Sequence, residues 1–260
     1  MHSLIERCGG VATIAPSMKE VPLESNVHLF DFVDELQRGE IDVIVFMTGV
    51  GAKTLVAALE TRIESAELFR LLDPLTIIVR GPKPLAVLRG WDIRVDHRVD
   101  EPNTWRELVT TIDSVWSKPN GNANSLDGLT FAVQEYGLPS EEFYTALQER
   151  GAKVRPVTVY RWALPDDQEP LIQAIRDTID GHFDCVMFTS AQQLRHVVEV
   201  ATKENVKDAW IEAANSIKVA SIGPTASETI RSYGLRVDFE PTHPKMGHLV
   251  KETIEAMTSS

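Results

Sequence analysis

Short runs of β-branched and other apolar residues alternate, along almost the whole chain, with stretches whose apolar positions recur at helical spacing. The runs are Val11–Ala15, Ile41–Met47, Leu75–Val79, a segment around Ile93, Leu129–Val133, Val154–Val159, Cys185–Phe188, Ile217–Ile222 and Val237–Phe239. Between them, Leu29–Leu36, Trp105–Val115, Glu141–Arg150, Pro170–Ile179 and Leu249–Met257 carry helical periodicity. Runs that are apolar at nearly every position belong to strands covered on both faces, and strands separated by helices belong to parallel sheets. The pattern predicts an α/β protein. The polar, turn-rich connection Trp116–Asp127 reads as a surface loop between a helix and a strand, not as a domain boundary.

The pattern also repeats. Asp42-Val-Ile-Val-Phe46 resembles Asp184-Cys-Val-Met-Phe188 at a spacing of 184 − 42 = 142, and each follows a helix that ends in glycine, Gly39 and Gly181. Gly10 pairs with Gly151 at a spacing of 141, and each opens a run that continues into an extended, proline-containing segment, Lys19–Leu23 and Tyr160–Pro165. This predicts two similar flavodoxin-like parallel-sheet domains joined by a two-stranded connector. The first domain is expected to be discontinuous, residues 1–19 plus 163–260, with the second inserted at residues 20–162. The two halves are unequal. A strand and helix, Leu129 to Arg150, precede Gly151, whereas only nine residues precede Gly10, and Leu4–Cys8 reads as the tail of a helix. Five strands are expected in the second domain and four in the first. The first is therefore expected to lack its first strand, a central one between the Val11 and Cys185 strands, and the chain to start short of its true N-terminus.

Charge and cysteine usage narrow the functional classes. A formal charge of −12 over 260 residues disfavours nucleic acid and anionic membrane surfaces as partners. No apolar stretch approaches the roughly 20 residues of a spanning helix, and the N-terminal residues lack the pattern of a secretory signal. Cys8 and Cys185 are scattered and form no CxxC pair. A cytoplasmic protein with reduced thiols is expected.

In open parallel sheets ligands bind beyond the carboxyl ends of the strands, where helix N-termini present free N–H groups. The loops there are Thr48-Gly-Val-Gly51, Arg80-Gly-Pro-Lys83, Gln134-Glu-Tyr-Gly137, Thr189-Ser-Ala-Gln192 and Gly223-Pro-Thr225. From them Thr48, Gly49, Gly51, Arg80, Gly81, Lys83, Tyr136, Gly137, Thr189, Ser190, Ala191, Gly223 and Thr225 are candidate ligand contacts. Thr48-Gly-Val-Gly-Ala-Lys-Thr54 approaches two nucleotide signatures and meets neither. Ala52 stands where a Walker A loop needs glycine, and Thr54 where a dinucleotide fingerprint needs its third glycine. Close approach of backbone to an anion remains the functional expectation for these glycines, and helix capping the structural one for Thr189, Ser190 and Thr225. The seven histidines include no HExxH pair, and His243 and His248 are spaced off a common helix face, so no metal site is expected. No GxSxG elbow or Cys/His constellation is present, and nucleophilic catalysis is not indicated.

Several segments together resemble the bacterial uroporphyrinogen-III synthases. They are Leu4–Arg7 with Gly9-Gly10, Ala15-Pro16 and Val21–Glu24, then Asp42–Gly51 and Val79–Pro84. Further along come Val133–Gly137, Val159–Arg161, Phe188–Gln192, Ser221–Thr225 and His243–Gly247. The resemblance spans nearly the entire chain and rests on the order and spacing of the segments. It implies two α/β domains with a wide cleft, no cofactor, and a monomer in the cytoplasm. It implies conversion of hydroxymethylbilane, a polycarboxylate, to uroporphyrinogen III with loss of water and inversion of the last pyrrole ring, in heme, siroheme or cobalamin biosynthesis. By match to the family, Tyr160 is the candidate hydrogen-bond donor to the departing hydroxyl. Thr48, Ser190 and Thr225 are candidate hydroxyl or amide contacts, and Arg80 and Lys83 candidate charge partners. Two other readings stay open, a non-catalytic binding protein for a small anion or tetrapyrrole, and a regulator.

Overall fold

The computed structural model describes residues 1–23, 27–116, 126–135 and 137–259. Most of the Trp116–Asp127 connection, and the candidate Tyr136, lie outside the described residues. In chain order α1 spans His2–Arg7, β1 Lys19–Pro22, α2 Val27–Gln37, β2 Val43–Phe46, α3 Gly49–Leu59, α4 Ser65–Leu72, β3 Thr76–Val79, α5 Pro82–Gly90, β4 His97–Arg98 and α6 Trp105–Trp116. There follow β5 Thr130–Gln134, α7 Glu141–Gln148, β6 Lys153–Val157, β7 Tyr160–Ala163, α8 Glu169–Ile179, β8 Cys185–Phe188, α9 Ala191–Lys203, α10 Lys207–Ser216, β9 Lys218–Ser221, α11 Pro224–Ser232 and α12 Met246–Thr258. Contacts divide the chain into an inserted unit, Glu20–Trp162, and a discontinuous unit, Met1–Lys19 with Ala163–Ser260. β1 pairs with β7 where the chain passes from one to the other.

The inserted unit is built on a five-stranded parallel sheet in the order β4-β3-β2-β5-β6. Alternation along the strands sends Ile44, Phe46, Ile77, Val79 and Ala132 to one face, against Leu29, Phe32, Leu55 and Leu88. Val43, Val45, Ile78, Phe131 and Val133 go to the other, against Leu108, Ile112, Phe143 and Leu147. Burial of each large side chain is worth about 1.5–3 kcal/mol, and both faces of the sheet are covered, which explains the uninterrupted apolar runs. Connections run outward in both directions from the central pair, so the order reverses between β2 and β5. That reversal is where open parallel sheets place ligands.

The discontinuous unit contains a parallel pair, β8 and β9, extended by a single bridge between Ala220 and Phe239. Its core gathers Leu171, Ile175, Phe188, Leu194, Trp210, Val219 and Ile230.

The two units match element for element at one spacing. β2 and β8, α3 and α9, α4 and α10, β3 and β9, and α5 and α11 each begin 142 residues apart (185 − 43, 191 − 49, 207 − 65, 218 − 76, 224 − 82). Side-chain detail repeats as well. Asp96 accepts from Ile77 N at 2.8 Å and Arg94 reaches Leu75 O at 2.6 Å. Asp238 accepts from Val219 N and Arg236 reaches Ile217 O, each at 2.8 Å. The glycine match shifts by one. Gly9 and Gly151, with φ +91 and +92, are the left-handed helix terminators, also 142 apart, so Gly9 and not Gly10 is the counterpart of Gly151.

Three expected strands come out differently. Residues 11–15 form no strand, and Val11 is fully exposed. Their counterpart is β6, which pairs with β5 alone, and among the described residues the discontinuous unit has no strand equivalent to β5. The Val237–Phe239 strand is reduced to the Ala220 bridge, and the strand around Ile93 to β4 at His97–Arg98. In both places Arg and Asp side chains take the backbone groups at the start of the neighbouring strand, so the ladder begins only after them.

Candidate functional site

In the inserted unit four candidate loops leave the carboxyl ends of adjacent strands. Thr48 follows β2 and caps α3, its hydroxyl accepting from Gly51 N at 2.9 Å. The glycines of this loop are required by neighbours in the fold. A Cβ at Gly49 would lie 2.9 Å from Lys83 O, where α3 meets the start of α5, and one at Gly51 would collide with the Gln134 amide. Gln134 ends β5, is fully buried, accepts from Thr48 N at 3.3 Å and donates to Glu135 O. Close backbone approach is therefore real at both glycines, and the group approached is protein. Arg80 is half-buried after β3. Gly81 is buried beside Asn103, whose amide nitrogen, oriented by its partners, donates to Arg80 O at 2.8 Å and Val99 O at 3.0 Å. Pro82 opens α5, where its fixed φ and missing N–H suit the first turn, and Lys83 is exposed beside it.

Beyond β5 and β6 the loops are tied by a buried carboxylate. Glu135, 3% exposed, accepts from Tyr144 Oη at 2.7 Å and Thr158 Oγ1 at 2.5 Å. Burial first, then the Glu135 carboxylate, push the Tyr144 phenol far above its usual range, so it stays a donor. Thr158 O is 2.7 Å from His28 Nε2. Gly137 sits in the left-handed region with no room for a side chain against Trp162 and Tyr160. Tyr160 is 3% exposed, its ring edge-on to Trp162 at 5.3 Å.

In the discontinuous unit, Thr189 and Ser190 follow β8. Ser190 caps α9 by accepting from Gln192 N at 3.2 Å, and Ala191 opens the helix. Thr189 donates its N–H to Gln193 Oε1 at 2.7 Å. After β9, Gly223 is the N-cap of α11 with Pro224 next. Thr225 lies inside the helix and exposed, so it is not the cap expected of it; Gly223 is the N-cap and has no side chain to bond with. On α9, buried His196 stands 2.5 Å from Ser17 O and 2.6 Å from Gln192 Nε2.

The structure thus puts Thr48, Gly49, Gly51, Arg80, Gly81, Lys83 and Gly137 at one sheet edge of the inserted unit, and Thr189, Ser190, Ala191, Gly223 and Thr225 at the corresponding edge of the other. Each edge carries the starts of helices, positions where the backbone dipole favours anions. Gln134, Glu135, Thr158 and Asn103 were not singled out from the sequence. The available signal was a polar pair, Gln134-Glu135, directly continuing a buried apolar strand. Among the described residues no group of His, Cys, Asp and Glu is placed to hold a metal, and no helix is long and apolar enough to cross a membrane. Burial, helped by Asp238 and Asp184, pushes the Cys185 thiol up to about 12, which removes thiolate reactivity there.

Residues 1–251 match the family model described as "Uroporphyrinogen-III synthase HemD". The chain belongs to the uroporphyrinogen-III synthase family. Among its relatives, the protein YjjA of Bacillus subtilis, whose role is not assigned, is 27% identical over 259 residues, with 97% of this chain and 89% of that protein covered. A putative uroporphyrinogen-III synthase of Methanothermobacter thermautotrophicus is also 27% identical, covering 89% and 84%. The fold is that of a mutant uroporphyrinogen III synthase of the extreme thermophile Thermus thermophilus, with a TM-score of 0.69, 21% identity and 99% and 94% coverage. The enzyme of Helicobacter pylori 26695 is more distant, at TM-score 0.51 and 13% identity over 95% and 93% of the two chains.

Proposed function

We propose that this protein converts hydroxymethylbilane to uroporphyrinogen III in tetrapyrrole biosynthesis. The observation that carries this reading is the family match over residues 1–251, to which the matched loops add a chemistry that suits a polycarboxylate. Each unit presents helix starts with small or hydroxyl residues, Thr48 and Gly81 in one, Ser190 and Gly223 in the other. Backbone amides at such positions bind carboxylates without concentrating positive side chains, which fits a chain of net charge −12. Arg80 and Lys83 add local positive charge.

The chemical step needs little assistance. Loss of the terminal hydroxyl as water leaves a resonance-stabilised azafulvenium, and a spirocyclic intermediate then allows the last ring to invert before closure. A protonated phenol suffices to help the hydroxyl leave, and Tyr160 is our choice for that donor. Its 3% exposure means the ring must turn outward or its neighbours part for substrate to reach it. The harder task is holding the bilane bent so that inversion outruns direct closure, which is a matter of orientation. Incubating the protein with freshly generated hydroxymethylbilane and separating the product isomers tests the proposal. Excess type III isomer is expected. Type I alone, at the spontaneous rate, would leave a tetrapyrrole-binding protein in its place.

A further inference from the structure

A buried carboxylate in the inserted unit joins two stretches of chain that meet at Tyr160. Glu135 is 3% exposed, and its polar groups are all engaged within the unit. Its N–H donates to Val157 O at 3.0 Å, and its carbonyl accepts from the Gln134 side chain. Gln134 O in turn accepts from Met47 N, so the pair is locked to β2 as well as to β6. One carboxylate oxygen accepts from Tyr144 Oη at 2.7 Å and the other from Thr158 Oγ1 at 2.5 Å. Thr158 is also held through its carbonyl, which accepts from His28 Nε2 at 2.7 Å. His28 O accepts from Arg155 at 2.8 Å, and Arg155 is paired with Glu35 at 2.7 Å. Two residues beyond each end of the Glu135–Thr158 bond the chain comes back into contact. A Cβ at Gly137 would lie 2.8 Å from Tyr160 Cε2, and Tyr160 is the second residue after Thr158. The carboxylate thus fastens the segment that carries the Tyr160 ring to the segment that presses on it.

This brace is not part of the repeated plan. The Arg–Asp clamps recur in both units, whereas Thr13, Pro16 and Met18 stand at the places of Arg155, Thr158 and Tyr160, and Pro170 at that of His28 (155 − 13, 158 − 16, 160 − 18, 170 − 28, each 142). The guanidinium, hydroxyl, phenol and imidazole are all missing at the matching places. We propose that Glu135 is a positioning residue for Tyr160, setting through Thr158 where the phenol stands when it donates to the departing hydroxyl. The inference rests on the role given to Tyr160 under the proposed function. A misplacement of about 1 Å can cost about a hundredfold in rate, so a ring that must turn or be uncovered to meet substrate gains from a fixed backbone at its base. The Glu135–Thr158 bond is made within the protein and not to substrate, so its loss belongs in kcat and not in KM.

Steady-state turnover of freshly generated hydroxymethylbilane, in a double-variant cycle of Thr158→Val with Tyr160→Phe, is the test. Valine keeps the branched shape and removes only the hydroxyl. Thr158→Val is expected to lower kcat by about five- to tenfold and to change KM by less than about twofold. Thr158→Ser, which restores the hydroxyl, should recover most of the loss. In the Tyr160→Phe background the same change should cost less than about twofold, because the group being positioned is gone. Equal losses in both backgrounds, no loss in either, or a loss that falls on KM would overturn the proposal. Failure of the reaction reading shows itself separately, before Thr158 is touched. A parent chain that gives no excess of the type III isomer, or Tyr160→Phe at full rate, removes that reading and this inference with it. If Thr158→Val does not fold, Tyr144→Phe takes its place in the cycle, since it keeps the ring and removes the other hydroxyl on Glu135. It should lower kcat by about two- to fivefold with the same dependence on Tyr160, and an unchanged kcat counts against the proposal.

Discussion

The inserted and discontinuous units are two copies of one plan, yet among the described residues the inserted one carries five paired strands and the other two and a bridge. The largest difference is at the position of β5. Where β5 is present, β2 is sealed on both edges, β6 has a partner and Gln134 braces the loop after β2. Where the described residues supply no counterpart, the strand equivalent to β6 dissolves into residues 11–15 and a side chain, Gln193, stands in for a backbone carbonyl. In a parallel sheet the strand at the reversal of order supports both its neighbours, so removing it costs two ladders.

The same truncation applied to the central strand of each unit should expose that difference most clearly. Val45→Ala removes a side chain with no exposure, and should cost about 2–3 kcal/mol. Val186→Ala, half-buried on β8, should cost about 1 kcal/mol or less. Urea unfolding followed by a probe in each unit checks this. Equal losses would mean that the edge of β8 is sealed by something else.

Much of this contrast was legible in the sequence. The spacing of Asp42–Phe46 and Asp184–Phe188 announced the duplication, and the glycines Gly39 and Gly181 marked matching helix ends. What escaped was the consequence for residues 11–15, because an apolar run forms a strand only if a neighbour supplies its hydrogen bonds. The candidate site was legible as loops, since strand ends and helix starts follow from the pattern. It was not legible as contacts. Nothing local in Thr48–Gly51 says that Gly51 is small for Gln134, a residue 83 positions away (134 − 51), or that Glu135 gathers Tyr144 and Thr158.

Function should divide the units differently. If Tyr160 assists departure of the hydroxyl, Tyr160→Phe should slow turnover of hydroxymethylbilane by roughly ten- to a hundredfold, the worth of about 1–3 kcal/mol from one hydrogen bond. Its ring packing on Trp162 is retained, so the unfolding midpoint should hardly move. Unchanged turnover in a folded variant removes Tyr160 from the chemistry.

The two Arg–Asp clamps offer a matched pair at equivalent places in the two copies. Burial works against the charge of Asp96, but hydrogen bonds from Arg94 and from Ile77 N outweigh it, and the carboxyl titrates below its ordinary range. Asp238 behaves the same way with Val219 N, Arg236 and Lys218. A folded pKa lower than the unfolded one gives stability that is complete above the unfolded value, near 4, and is lost as pH falls through the folded value. Asp96→Asn and Asp238→Asn should each cost about 1–2 kcal/mol at pH 7. The deficit should fade below pH 4, where wild type loses the same contribution. A deficit independent of pH would assign the clamps' worth to shape instead of charge.

The starts of α5 and α11 differ in charge, Arg80 and Lys83 against Ile222 and Thr225 at the matching positions. Giving the inserted unit the other pair, Arg80→Ile with Lys83→Thr, should weaken binding of the bilane by about fivefold at low salt. The effect should shrink towards 0.5 M salt, because exposed charges are screened within a few ångströms there. A loss that ignores salt would point to altered packing around Gly81.

The smallest expected effects concern the two hydroxyl caps. Thr48 and Ser190 occupy equivalent places, and each satisfies one N–H of the helix it opens. Alanine at either should cost about 1 kcal/mol of stability, whatever the substrate does. Binding then separates the two roles a cap can play. Glycine at the same positions keeps most of the helix stability but removes the hydroxyl, so Thr48→Gly and Ser190→Gly leave the amide donors in place. If the amides alone hold the carboxylates, KM should rise less than twofold in the glycine variants of both units. A larger rise in one unit only would show that its hydroxyl touches substrate, and that the two copies of the plan no longer share the work equally.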